Sequence, residues 1–268
     1  AISNANPEVQ AALQKGIPVL KRSDFLGQLM ENYITIAVAG THGKTTTTGL
    51  IAYMLSELGL DPSYIVGGTV KQLGANAHAG KGKHFVIEAD EYDRMFLGLK
   101  PDISLITYME LDHPDCFPTM EEYSEAFQQF AASTRIGGTV LVCGDHRNLL
   151  DLAEKVASGG IKTRTYGLSP DCNYQAVNVN LSKDGIYKFD FAIQSGKRLD
   201  VQARDIILTL PGRHNLVNSL AALSVASLLQ LDPYTAKSPV SSFSGTGRRF
   251  DITWAGSGIT LIDDYAHH

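Results

Sequence analysis

Six residues, Gly40-Thr41-His42-Gly43-Lys44-Thr45, have the types and spacing that polyphosphate chemistry needs. A glycine-containing loop can wrap its backbone N–H groups around phosphate oxygens, and a helix that starts at its end adds partial positive charge. Lys44 adds a full charge, and the Thr45 hydroxyl is placed to take a magnesium ion. Such a loop works only between a strand and a helix. The flanks supply both: Ile34, Ile36 and Val38 form a β-branched apolar run, and Leu50, Ile51, Met54, Leu55 and Leu58 recur at helical spacing. The usual phosphate loop has four residues between its first glycine and the Gly-Lys pair, whereas Gly40 and Gly43 enclose two. A plain glycine turn with a solvated Lys44 is the other reading, and it leaves the joint occurrence of strand, Gly-Lys-Thr and amphipathic helix unexplained.

Two further groups of side chains fall where they could serve the same ligand. The buried-type strand His84-Phe85-Val86-Ile87-Glu88 runs into Asp90, Glu91 and Asp93. Parallel α/β sheets bind ligands beyond the carboxyl ends of their strands, so this acidic cluster sits where a cation would be needed. Most acidic runs are solvated loops; here Glu88 has apolar neighbours, which argues for a more enclosed carboxylate. A third strand, Ile103 to Tyr108, leads into Glu110, Asp112 and His113 at what should be the same sheet edge. Position alone leaves His113 open between a cation ligand and an ordinary loop histidine. Asn215 and Asn218 lie three apart, on one face near the start of an Ala- and Leu-rich helix. Asn215 also suits a simple helix cap.

The elements that must hold these residues alternate as strand and helix up to about residue 160. Helices are expected at Met120 to about Ser133 and at Leu149 to Val156, with a strand at Thr139–Cys143. That alternation implies right-handed crossovers and a mostly parallel sheet flanked by helices. From Arg164 the rhythm changes to three strands, Tyr174–Asn180, Gly185–Ile193 and Leu199–Leu210, joined by hairpin turns and read as a small antiparallel β patch. Ahead of the phosphate loop, Pro7 to Met30 reads as two helical pieces around Gly16-Ile17-Pro18-Val19, the second capped by Ser23-Asp24.

The 268 residues carry 23 Lys and Arg against 28 Asp and Glu, a net charge of −5, so no broad positive field draws nucleic acid or anionic membrane. Any anionic ligand must be held locally. Hydrophobic residues at 44% and charged ones at 19% describe a folded chain. Cys116, Cys143 and Cys172 have no metal-ligand spacing and read as reduced thiols, so a cytoplasmic location without a membrane partner is expected. The apolar stretch Leu216–Leu231 is too short and too polar to span a bilayer.

GTHGKTTTT, EADEYD, LDHPD, GRHNLVN and the closing GTGRRF…DDYAHH occur in an order that resembles the Mur ligases, ATP-dependent amide ligases of peptidoglycan precursor synthesis. With His42 in the loop, the likeness is greatest to the branch that adds L-alanine to UDP-N-acetylmuramate. The resemblance implies ATP and Mg2+ as cofactors, with ATP held by Gly40, Thr41, His42, Gly43, Lys44, Thr45, Thr46, Asn215, Asn218, Arg249 and Asp264. It implies metal ligation by Thr45, Glu88 and His113, catalysis through Lys44, Glu88 and His113, and a substrate contact from His267. The two asparagines would face the adenine ring, whose paired donor and acceptor suit amides.

It also implies a domain plan. Residues 1–32 would be a linker from an absent UDP-binding domain, 33–240 the central ATP-binding domain, and 241–268 the start of a further, truncated α/β domain. The chain alone would then be an inactive fragment. Several Mur ligases carry a modified lysine after the DH motif; no lysine lies between Lys100 and Lys155, which fits the alanine-adding branch. Tyr108 and Ala266 depart from the family's usual Asn and Gly. Two alternatives stay open: a tripeptide-adding recycling ligase, which normally has a longer insert between EADEYD and the DH motif, and a nucleotide-binding module that makes no bond.

Overall fold

A strand whose residues from Thr35 to Ala39 are all buried needs a neighbour on each side and a helix on each face. The computed structural model, which describes residues 2–266, gives it both. In chain order come α1 (Pro7–Gln14), α2 (Arg22–Leu29), β1 (Ile34–Ala39), α3 (Lys44–Glu57), β2 (Ser63–Val70), β3 (Ala75–His78) and β4 (His84–Glu88). A 3-10 segment (Tyr92–Gly98) leads to β5 (Ile103–Ile106), α4 (Met120–Ala132), β6 (Thr139–Cys143), α5 (Arg147–Ser158) and β7 (Lys162–Gly167). Then follow β8 (Tyr174–Leu181), β9 (Tyr187–Ser195), β10 (Arg198–Ile207), α6 (Arg213–Leu228), α7 (Pro233–Ser242), β11 (Asp251–Gly256) and β12 (Ile259–Asp263).

Among the described residues, β1 to β10 form one sheet in the order β10-β9-β8-β7-β6-β5-β1-β4-β2-β3. The strands from β2 through β8 in that row are parallel, and β1 lies between β4 and β5 with Val38 opposite Glu88 and Leu105. The carboxyl ends of β1, β4 and β5 therefore share one edge. The expected antiparallel patch is present, but β8 continues the main sheet beside β7, with β9 and β10 antiparallel beyond it. β3 has no counterpart among the expected strands; it is a short polar edge strand on β2, which runs on through Gly67-Gly68 to Val70. The apolar positions of α3, including Leu50, Ile51, Met54 and Leu55, are buried as their spacing requires. α4 presents Tyr123, Phe127 and Phe130 to the core, and Phe96 of the 3-10 segment stacks on Phe130 with centroids 4.9 Å apart.

Two expected caps are corrected. α2 starts at Arg22 with Lys21 as its N-cap, so Ser23 and Asp24 lie inside its first turn. α6 starts at Arg213 after Gly212, so Asn215 also lies within the helix, and its amide instead donates to the Pro211 carbonyl at 2.7 Å. The positive φ of Gly212, 96°, turns the chain into α6 without a side-chain cap. β11 and β12 form a separate hairpin, tied back to β2 by the Lys71–Asp251 ion pair at 2.6 Å and by the Gly247 amide donating to Thr69. No helix among the described residues is long and apolar enough to cross a membrane.

Candidate functional site

The chain leaves β1 through Gly40, whose φ of 134° is open to glycine, and enters α3 through Gly43 at φ 81°. Between them the loop is fixed from β5. The Thr41 amide donates to the Tyr108 carbonyl at 2.9 Å, and the Thr107 hydroxyl reaches the carbonyls of His42 and Ala39. On the other side a Cβ at Gly43 would lie 2.8 Å from Asn218 Oδ1, so α6 closes directly on the loop. The first amides of a helix have no intrahelical partner, and the first residues of α3, Lys44, Thr45 and Thr46, line a cavity of about 620 Å³.

That cavity brings together nearly every residue expected from sequence: Thr41, His42, Gly43, Lys44, Thr45 and Thr46 from the loop, and Glu88 and His113 from the ends of β4 and β5. Asn215 and Asn218 of α6 and Arg249 and Asp264 from the hairpin region complete it. Gly40 forms the turn beneath rather than the lining, and His267 lies outside the described residues. His214 and Arg22 also line the cavity, and neither is among the residues expected there.

Several of the cavity's polar groups pair with one another or with a residue behind the lining. Thr45 Oγ1 donates to Glu88 Oε1 at 2.9 Å, and the other Glu88 oxygen accepts the Gly67 amide at 2.6 Å. Lys44 Nζ folds back to the Gly40 carbonyl and to Glu91 Oε1 at 2.8 Å. Glu91 is fully buried; burial pushes its carboxyl above the usual range, and the Lys44 ammonium opposes that shift. Its Oε2 is buried without a hydrogen-bond partner. Tyr123 stands behind it, its hydroxyl 3.4 Å from Glu91 Oε1 and 2.9 Å from Thr41 Oγ1. Burial, then the Glu91 charge, holds the Tyr123 phenol above its ordinary value.

Among the described residues, the His, Cys, Asp and Glu side chains that bring three donor atoms within 4.8 Å of one another are Glu91, Asp112 and His113. His113 Nε2 is 3.5 Å from Asp112 Oδ2 and 4.0 Å from Glu91 Oε1. Its ring is held edge-on by Tyr92 at 5.2 Å. Glu88 is not part of that cluster. Two carboxylates, one of them with an unpartnered buried oxygen, and an imidazole suit a hard divalent cation, so the residues present fit magnesium. Sequence reasoning places Glu91 in the acidic cluster but singles out Glu88 alone as a site residue. The two differ in depth, which residue type does not reveal.

The departure at Tyr108 is resolved as packing: its ring lies between His42, 5.3 Å away, and His146, 4.5 Å away and edge-on. Burial lowers the His146 and His214 imidazoles below their usual value.

Residues 38–226 match the Mur ligase middle domain, and residues 1–34 match the Mur ligase family catalytic domain. The chain belongs to the Mur ligase family. Over its full length it is 43% identical to the UDP-N-acetylmuramate–L-alanine ligase of Renibacterium salmoninarum and 41% identical to that of Magnetococcus marinus. It spans 56% of the length of each. Among solved structures, the UDP-N-acetylmuramate-alanine ligase MurC of Thermotoga maritima aligns with a TM-score of 0.80 at 26% identity, over 100% of this chain and 59% of that one. A UDP-N-acetylmuramate:L-alanyl-gamma-D-glutamyl-meso-diaminopimelate ligase from Neisseria meningitides aligns with a TM-score of 0.78 at 25% identity, over 92% and 78% of the two chains. The mixed α/β Mur ligase fold and the alanine-adding relatives thus agree with the resemblance read from the motifs.

Proposed function

We propose that the cavity at the carboxyl edge of β1, β4 and β5 takes the triphosphate of ATP with Mg2+. The protein that contains this chain would then use it to join L-alanine to the carboxylate of UDP-N-acetylmuramate. One observation carries the reading: the shortened phosphate loop, the β4 and β5 carboxylates and His113, and the α6 asparagines line a single cavity.

The α3 amides and Lys44 hold the β- and γ-phosphates, and Asn215 and Asn218 face the adenine. Thr45, Glu88 and His113 are the proposed metal ligands, although His113 clusters with Asp112 and Glu91, and Glu88 pairs with Thr45. Mg2+ bound there draws charge off the phosphates. A carboxylate resists attack by an amine until one of its oxygens becomes a leaving group, and phosphorylation by ATP supplies that change. The phosphate transferred to the acid leaves when the alanine nitrogen attacks the carbonyl carbon, and an amide results. By the same reading, residues 1–32 act as a linker, 33–240 as the nucleotide-binding domain and 241–268 as the opening of a further domain.

Calorimetry of this chain with ADP tests the first step: Lys44→Ala should weaken binding about 100-fold, as loss of a charge-assisted contact implies. Unchanged affinity would remove Lys44 from the site. For the whole reaction, an enzyme of the relatives' length carrying this sequence should release phosphate only when both UDP-N-acetylmuramate and L-alanine are present. A requirement for a tripeptide in place of L-alanine would assign the recycling reaction instead.

A further inference from the structure

Lys44 can donate three hydrogen bonds, and all three are engaged within the protein. They go to the Gly40 carbonyl, to Glu91 Oε1 at 2.8 Å, and to the Thr41 carbonyl at 3.4 Å. The contact to Thr41 is long and the first two are not. A phosphate oxygen arriving at the loop would therefore displace Thr41 and leave Lys44 still anchored at two points. Glu91 is a built anchor rather than a chance neighbour. It is fully buried, one oxygen is unpartnered, and Tyr123 and Thr41 stand behind the oxygen that meets Lys44. Tyr123 is itself locked on α4 by Phe117 and Phe127, with centroids 5.0 and 4.9 Å away.

From this we infer that Glu91 is a positioning residue for Lys44: its carboxylate pins the ammonium to the loop at the cost of half-neutralising the charge that incoming phosphates meet. The inference rests on the nucleotide reading of the cavity and adds a role that reading does not contain. Pinning fixes where the lysine meets a phosphate, whereas a lysine with no carboxylate facing it would bind anions harder but from many positions. The opposing carboxylate thus gives up nucleotide affinity in return for a defined donor position.

The sign of this effect separates it from structural damage. Replacing Glu91 by Gln keeps the volume and an acceptor for Lys44, and removes the negative charge. With EDTA present, so that no metal contact contributes, ADP should bind Glu91→Gln about tenfold tighter than the parent chain, as deletion of one nearby like charge predicts. Glu91→Asp keeps the charge but shortens the reach, and should stay within about twofold of the parent, since the Coulomb interaction changes little. Weaker or unchanged ADP binding by a folded Glu91→Gln would overturn the proposal. If Glu91→Gln does not fold, tighter binding by Glu91→Asp would overturn it, because the charge is still there. A parent chain that binds no ADP either in EDTA or with Mg2+ present would instead remove the nucleotide reading itself.

Discussion

Gly40 offers the sharpest test of how the loop is held. A Cβ added there would lie 2.8 Å from the Tyr108 carbonyl oxygen and 2.9 Å from its amide nitrogen, with the Thr107 hydroxyl closer still. Two of these atoms belong to the backbone just beyond β5, so neither can swing aside as a side-chain tip would. The backbone at φ 134° is also one that an alanine adopts only under strain, worth about 1–3 kcal/mol. To make room, the loop must lift from β5. That movement loses the Thr41 amide bond to Tyr108 and the Thr107 hydroxyl bond to the Ala39 carbonyl, each about 1 kcal/mol. Gly40→Ala should therefore cost about 3–5 kcal/mol in urea unfolding. It should also weaken ADP binding at least about tenfold, because the loop amides no longer point at one place.

The control is Gly59, at φ 74° with no atom within 4 Å of the place an added Cβ would take. Gly59→Ala carries backbone strain alone, about 1–2 kcal/mol, and should leave ADP affinity unchanged. If Gly40→Ala costs no more than Gly59→Ala and binds ADP normally, the clamp between loop and β5 is not what shapes the site.

Three other outcomes follow from side chains around and away from the loop. Burial holds His84, on β4, below its ordinary pKa of 6.5, and His146 and His214 likewise. The unfolded chain therefore takes up protons that the folded one refuses as pH falls from about 6.5 towards the folded values. Stability should be full above that window and decline through it, and His84→Gln should flatten the slope by up to about 1.4 kcal/mol per pH unit in urea titrations at successive pH values. On β9, Asp190 accepts from Asn178 and from the Asp205 amide, both at 2.8 Å, and these two residues sit at irregularities in β8 and β10 with positive φ. Asp190→Ala strands those donors and should cost about 2–4 kcal/mol in thermal or urea unfolding without changing ADP affinity. Asn215→Ala should weaken ADP about tenfold yet leave tripolyphosphate binding intact in calorimetry; equal loss for both ligands would place Asn215 on the phosphates instead of the base.

Much of this is legible in the residues alone. The switch from period-two to helical spacing around Gly40–Lys44 locates β1 and α3, because a strand buried on both faces and a packed helix each leave a strong apolar signature. The carboxyl-edge rule then places Glu88 and His113 beside the loop. Weaker signals mislead or are silent. β3 is polar and at an edge, so it has no apolar run to read. The starts of α2 and α6 are set by tertiary contacts and by Gly212, not by the Ser-Asp and Asn that look like caps. Glu91 shares its residue type with Glu88, and only the 3-10 segment that follows, pinned through Phe96 to α4, turns it inward.

That inward turn bears on why the proposed nucleotide site would call for a cation from solution. The cavity is lined by the cationic Arg22, Lys44 and Arg249, but also by Glu88, Asp90, Asp112 and Asp264, and Lys44 already faces Glu91. Arg249 lies over the Tyr265 ring at 5.3 Å. A triphosphate entering here meets at least as many carboxylates as ammonium and guanidinium groups, so the side chains alone do not neutralise it. The α3 amides contribute partial charges only. On the proposed reading a divalent ion would reverse the balance: the carboxylates that repel the phosphates would become its ligands, and the same residues would then hold the metal–nucleotide pair more tightly than the bare nucleotide. ADP affinity should accordingly rise with Mg2+ in this chain, and Glu88→Gln should reduce that rise without weakening metal-free binding; a metal-independent affinity would mean that the carboxylates serve something other than the nucleotide.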